Sequence, residues 1–127
     1  MTDLARANDE MVREFLQAWE RRDTEHIVER FAVNGVYHSI PLTPIVSRDA
    51  IRAFVAGFED VPPGRLEIRH QVAAEHVVLN ERTDFIRLNG KPVTLPISGV
   101  FEIADGHITA WREYFDLAPV RAAYESG

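Results

Sequence analysis

The sequence predicts an α+β fold, with three N-terminal helices packed on a curved, mainly antiparallel sheet. Up to Gly64 the apolar side chains recur at i, i+3, i+4 and i+7, the spacing of a one-faced helix. From Arg65 onward they alternate or fall in β-branched clusters, the pattern of strands. The connections are legible too: Asn89-Gly90 and Asp105-Gly106 are dipeptides that two-residue hairpins favour, because both central positions need positive φ.

In the first helix Val12, Phe15, Leu16 and Trp19 form the apolar stripe, Asn8 is placed as its N-cap, and Arg21 and Arg22 complement the dipole in its last turn. Asp23 caps a second, shorter helix carrying Ile27, Val28 and Phe31, which Asn34-Gly35 ends. Val36 to Ile40 is a short strand broken by Pro41-Leu42-Thr43-Pro44. Ser47 caps a third helix with Ile51, Phe54, Val55 and Phe58 on one face, stopped by Pro62-Pro63-Gly64. Strands are expected near 65–72, 75–88, 91–104 and 107–116.

At 127 residues the chain fits one domain, 1–127. It is 46% hydrophobic and 27% charged, close to globular averages, so it can bury a core. Fourteen Lys and Arg against twenty Asp and Glu give a net charge of −6, which counts against nucleic acid or an anionic membrane surface as a partner. The absence of cysteine removes disulfides, thiolate metal sites and cysteine nucleophiles. No secretory leader or membrane span is apparent, so a soluble, cytoplasmic protein is expected.

Strand parity points to the chemistry. On the strand at 75–88, Val78, Asn80, Arg82, Asp84, Ile86 and Leu88 share a face that is apolar at its ends and polar in its middle. Arg82 and Asp84 can pair along it. From this strand alone a solvated salt bridge, contributing about 0–1 kcal/mol, is the simpler reading. On the last strand Trp111, Glu113 and Phe115 share a face, which sets one carboxyl between two aromatics, a setting that raises its pKa. If Glu113, Asp84 and Arg82 meet in one cavity, two carboxyls share one guanidinium and hold one extra proton, one acting as acid and the other as base. Keeping Asp84 protonated at pH 7 costs on the order of 4 kcal/mol.

Strict two-residue turns would put Tyr114, not Glu113, on the face of Arg82 and Asp84. A single β-bulge in the strand at 91–104 restores the constellation, and Pro96 and Gly99 place it at 96–99. Tyr37 and Ser39 share a face of the strand at 36–40 and can both hydrogen-bond a water, with His38 pointing away. His26, His70, His76 and His107 show no ligand spacing, so no metal site is expected. Phosphate-binding glycine loops and nucleophile-elbow serines are also lacking.

Three segments taken together, Val78-Leu79-Asn80-Glu81-Arg82-Thr83-Asp84, Leu95-Pro96-Ile97-Ser98-Gly99-Val100-Phe101-Glu102 and Ala110-Trp111-Arg112-Glu113-Tyr114-Phe115-Asp116-Leu117, resemble the limonene epoxide hydrolase family. Val36-Tyr37-His38-Ser39-Ile40-Pro41-Leu42-Thr43-Pro44 and the helix capped by Ser47 fit as well, so the likeness runs from about residue 9 to 121. The resemblance implies a mixed-sheet, cystatin-like cone shared with ketosteroid isomerases and polyketide cyclases, usually a homodimer. It also implies cofactor-independent, one-step opening of a small apolar epoxide to a vicinal diol.

By the same resemblance Asp84 protonates the epoxide oxygen, Arg82 bridges it to Glu113, and Glu113 is the base toward a water held by Tyr37 and Ser39. Trp111, Phe115 and the apolar faces of the helices would line a mostly hydrophobic substrate pocket. Two positions depart from the family pattern: Glu113 stands where Asp is usual, and Ser39 where Asn is usual. Isomerisation, a biosynthetic epoxide opening, or non-catalytic binding of a small ligand are the alternatives for the same pocket.

Overall fold

The computed structural model describes residues 1–58 and 60–125. Its elements are helices α1 (Asp3–Glu20), α2 (Thr24–Arg30), α3 (Arg48–Ala56) and α4 (Ala118–Ala123), and strands β1 (Phe31–Ser39), β2 (Ile45–Val46), β3 (Arg65–Ala73), β4 (Val77–Leu88), β5 (Lys91–Ala104) and β6 (His107–Tyr114). The strands form one sheet in the order β2-β1-β6-β5-β4-β3. It is mixed, because β1 runs parallel to β6 while every other pair is antiparallel. Among the described residues no helix is long and apolar enough to cross a membrane.

Local chemistry explains most boundaries. Asp23 accepts from the His26 N–H and Ser47 from the Ala50 N–H, so both expected caps form. The two hairpin turns carry positive φ at both central residues, 52° and 75° in each. Asn8 does not cap α1. Thr2 does, through Oγ1 and the Ala5 N–H, and the buried Asn8 amide instead donates to the carbonyls of Ala74 and Glu75. Tertiary demand on that amide overrides its local capping preference. The helix also stops earlier than its charges suggest: Arg21 is the C-cap, and Arg22 lies beyond it at φ 59°.

Phe31, expected in the second helix, is extended and opens β1, so Asn34-Gly35 lies inside a strand and ends no helix. Burial decides this. Phe31 is fully enclosed and meets Phe15 edge-on at 5.7 Å, one of several aromatic pairs each worth about 0.5–1.5 kcal/mol beyond area burial. The sequence pattern does not predict α4. It is only six residues, with a proline in its first turn.

A bulge is present, but not at 96–99. The β4–β5 ladder is unbroken from Val77↔Glu102 to Leu88↔Lys91. The shift lies between β5 and β6, where Glu102 faces Ala110 but Ile103 faces Ile108, leaving Thr109 as the extra residue. Thr109 Oγ1 donates to the carbonyl of Glu102 at 3.2 Å, which ties the bulged residue back to the partner strand. Pro96 is tolerated without a bulge because β6 last pairs at Ser98↔Tyr114, leaving β5 an edge at residue 96. The parity flip inferred from the site is therefore real, and its location is corrected to β6.

Candidate active site

Consecutive inward positions of β4 carry Asn80, Arg82 and Asp84, and the bulge at Thr109 turns Glu113 of β6 onto the same face. Gly99 of β5 lies between the two strands, opposite both Asn80 and Glu113. Arg82 Nε donates to Asp84 Oδ1 at 2.9 Å, and Nη2 donates to Asp84 Oδ2 at 3.3 Å and to Glu113 Oε1 at 2.6 Å. The side chains are 0%, 8% and 5% exposed for Arg82, Asp84 and Glu113, so the solvated alternative does not hold.

Burial dominates the titration of both carboxyls. It pushes Asp84 up, against the pull of Arg82, and Glu20 adds to the rise. It pushes Glu113 up, again opposed by Arg82 and reinforced by Asp84. The Trp111 indole lowers Glu113, yet no hydrogen bond of normal geometry forms between them: among the described residues neither Trp111 Nε1 nor Glu113 Oε2 has a partner. Arg82 itself is held more firmly protonated by its two carboxylates, although its burial works the other way. The result is a fixed cation flanked by two carboxyls that both resist ionisation.

Gly99 makes this packing possible. A Cβ there would lie 2.9 Å from Asn80 Oδ1, 3.1 Å from Arg82 Nη1 and 3.4 Å from Glu113 Oε2. Gly99→Ala must displace Asn80, whose Nδ2 is already committed to Gln71 at 3.1 Å. Overpacking of this kind costs about 1–3 kcal/mol. Urea denaturation should show that loss, together with weaker activity; unchanged stability would mean that the polar cluster is loose.

Tyr37 and Ser39 complete the wall beside Glu113. In the parallel ladder Tyr37 faces Trp111 and Ser39 faces Glu113. Ser39 Oγ donates to Tyr37 Oη at 3.3 Å, and burial, helped by Glu113, pushes the phenol well above its ordinary range, so it stays a neutral donor. His38 points away, with Nε2 3.0 Å from the carbonyl of Leu42.

These groups open onto a cavity of about 310 Å³ whose wall includes Tyr37, Ser39, Asp84, Glu113 and Phe115. Trp111, expected in that wall, is not part of it. It is fully buried behind, stacked on Tyr37 at 4.6 Å and on Phe101 at 5.2 Å, with Arg82 5.8 Å from its ring centroid. Its place is the floor that fixes Tyr37 and Arg82. Among the described residues no three His, Asp, Glu or Cys side chains group as metal ligands.

Trp19, on the apolar stripe of α1, also lines the cavity, and so does Arg22, which the sequence does not mark as a site residue. A signal for Arg22 is present in the spacing, three residues after Trp19 and seven after Phe15, although α1 itself ends at Glu20.

Residues 6–124 match the family of limonene-1,2-epoxide hydrolase catalytic domains. The chain belongs to that family. Among its relatives is epoxide hydrolase EphG of Mycobacterium tuberculosis, 29% identical over 107 residues that cover 84% of this chain and 71% of the relative. A limonene-epoxide-hydrolase-like epoxide hydrolase of the same organism superposes with a TM-score of 0.79 at 27% identity, covering 94% of this chain and 87% of that one. An NTF2-like protein of unknown function from Burkholderia pseudomallei gives a TM-score of 0.83 at 19% identity, covering 94% and 98%, a likeness of fold alone. This member of the limonene-1,2-epoxide hydrolase family thus has the α+β, NTF2-like cone, with a six-stranded mixed sheet and four helices among the described residues.

Proposed function

We propose that this cavity hydrolyses epoxides to vicinal diols in one step, with no covalent intermediate and no cofactor. The observation that carries the reading is the pair of buried carboxyls, Asp84 and Glu113, bridged by Arg82 on the wall of a mostly apolar cavity. With one proton shared between them the trio is neutral, so one carboxyl is an acid while the other is a base. Ring opening needs both at once: a proton to the leaving oxygen and a base for the attacking water.

Asp84, protonated, gives its proton to the epoxide oxygen as the C–O bond breaks. Glu113, ionised, takes a proton from water as the oxygen of that water bonds to carbon. Tyr37 and Ser39, beside Glu113, orient the water. Epoxide and water make diol, and return of the proton from Glu113 to Asp84 resets the site. Arg82 keeps its protons throughout and holds both carboxyls in place.

The two departures from the family pattern offset each other. Ser39 and Glu113 are Cα partners in the β1–β6 ladder, so the reach lost from Asn to Ser lies directly across from the methylene gained from Asp to Glu. The water site moves toward β1 and is kept.

A single turnover in heavy-oxygen water tests the chemistry. The label should appear in the diol and not in the protein; label in Asp84 or Glu113 would mean that a carboxylate attacks carbon and the one-step reading is wrong.

A further inference from the structure

Arg22 is a second guanidinium in a cavity that the reaction above does not need. It sits just past the end of α1 in a left-handed conformation, φ 59°, rare for a residue with a Cβ. That conformation carries the side chain back to the cavity wall, where Nη1 donates to the carbonyl of Trp19 at 3.2 Å. Capping that carbonyl uses one of five donors. Nε is buried and has no hydrogen-bond partner among the described residues.

The neighbouring acids are committed elsewhere. Glu20 Oε2 accepts from the Leu66 N–H at 2.7 Å, and Asp23 is held by Arg21 and His26. Asp84 faces Arg22 electrostatically but forms its ion pair with Arg82, and Arg22 makes no ion pair among the described residues. Burial destabilises the Arg22 charge. Arg82 is taken up by Asp84 and Glu113, so the guanidinium of Arg22 stands on the cavity wall with donors to spare. A half-buried guanidinium with spare donors is a ready partner for an anion.

We propose that Arg22 anchors a carboxylate on the substrate, so that the cavity takes epoxy acids in preference to neutral epoxides. The planar fork of a guanidinium matches a carboxylate, and because Arg22 and Asp84 line the same cavity, a carboxylate held by Arg22 leaves the ring oxygen of the ligand to Asp84. The epoxide half of the statement rests on the hydrolase reading; the carboxylate site does not.

Binding and turnover are therefore measured separately. Isothermal titration with cyclohexanecarboxylate and its uncharged analogue cyclohexanecarboxamide needs no chemistry. The unmodified protein should bind the carboxylate about tenfold or more tightly, the range of a charge-assisted hydrogen bond, and Arg22→Gln should bring the ratio to within about twofold. Arg22→Lys keeps the charge and loses the fork, so part of the preference should survive, and it serves as the readout should Arg22→Gln not fold. Equal binding of the two probes, or a preference that persists in Arg22→Gln, overturns the assignment. Turnover of 3,4-epoxycyclohexane-1-carboxylate against its carboxamide gives the second arm. If neither epoxide opens while the binding preference tracks Arg22, the carboxylate site stands and the hydrolase reading falls. If both open alike and the probes bind alike, the hydrolase reading stands and the carboxylate site falls.

Discussion

Asp84→Asn should lower kcat/KM for epoxide opening by about 10³-fold, within the range that a positioned general acid supplies, while leaving the protein folded. The amide keeps the shape of the carboxyl and one acceptor. That acceptor serves the 2.9 Å bond from Arg82 Nε, whereas the 3.3 Å bond from Nη2 becomes donor against donor, a loss of about 1 kcal/mol. Activity and stability are thereby separated. Diol formation from limonene oxide, cyclohexene oxide and styrene oxide, measured beside a thermal melt, checks both. Undiminished turnover in the folded variant would remove Asp84 as the acid and leave the buried pair a structural device.

The same proton count gives a pH profile for the unmodified protein. Activity needs one proton on the two carboxyls, so it should fall when acid protonates both and when base removes the last. Burial raises both groups, which moves the whole window above the ordinary carboxylate range. Because the two interact through Arg82, the limbs of the profile belong to the pair and not to either residue.

The charged residues of the site are legible in the sequence, and the bulge that brings them together is not. Arg82, Asp84 and Glu113 were legible because strand parity is strict, and their meeting demanded an odd residue somewhere in the last hairpin. Which strand held it was not legible: Pro96 and Gly99 drew attention by composition, whereas Thr109 looks like any strand residue. Gly99 is there for its missing Cβ among Asn80, Arg82 and Glu113, a tertiary fact. Phe31 and Asn8 failed for a related reason, since local preference favoured helix and cap while distant partners decided otherwise. Parity puts Trp111 on the correct face but gives direction and not depth, and the ring lies one layer behind the cavity wall.

Arg82→Met should be the most destabilising single change in the site. Met fills similar volume but leaves Asp84 and Glu113 buried without their shared cation, and breaking a buried pair this way costs about 3–5 kcal/mol. Against a total stability of about 5–15 kcal/mol this is a large share. The loss should depend on pH, and its sign follows from the direction of the shifts. Both carboxyls already titrate higher in the folded protein than in the unfolded chain, so the folded state binds more protons and stability falls as pH rises through that window. Removing Arg82 deletes the influence that held both down, so the fall becomes steeper and extends to higher pH. Urea denaturation of Arg82→Met should show its largest deficit at neutral pH and a smaller one near pH 5, where both carboxyls can accept protons. Adding Asp84→Asn and Glu113→Gln to Arg82→Met should recover much of the neutral-pH loss, since no buried charge then remains. A deficit independent of pH, or unrelieved by the two amides, would mean that Arg82 contributes by packing on Trp111 and not by balancing the carboxyls.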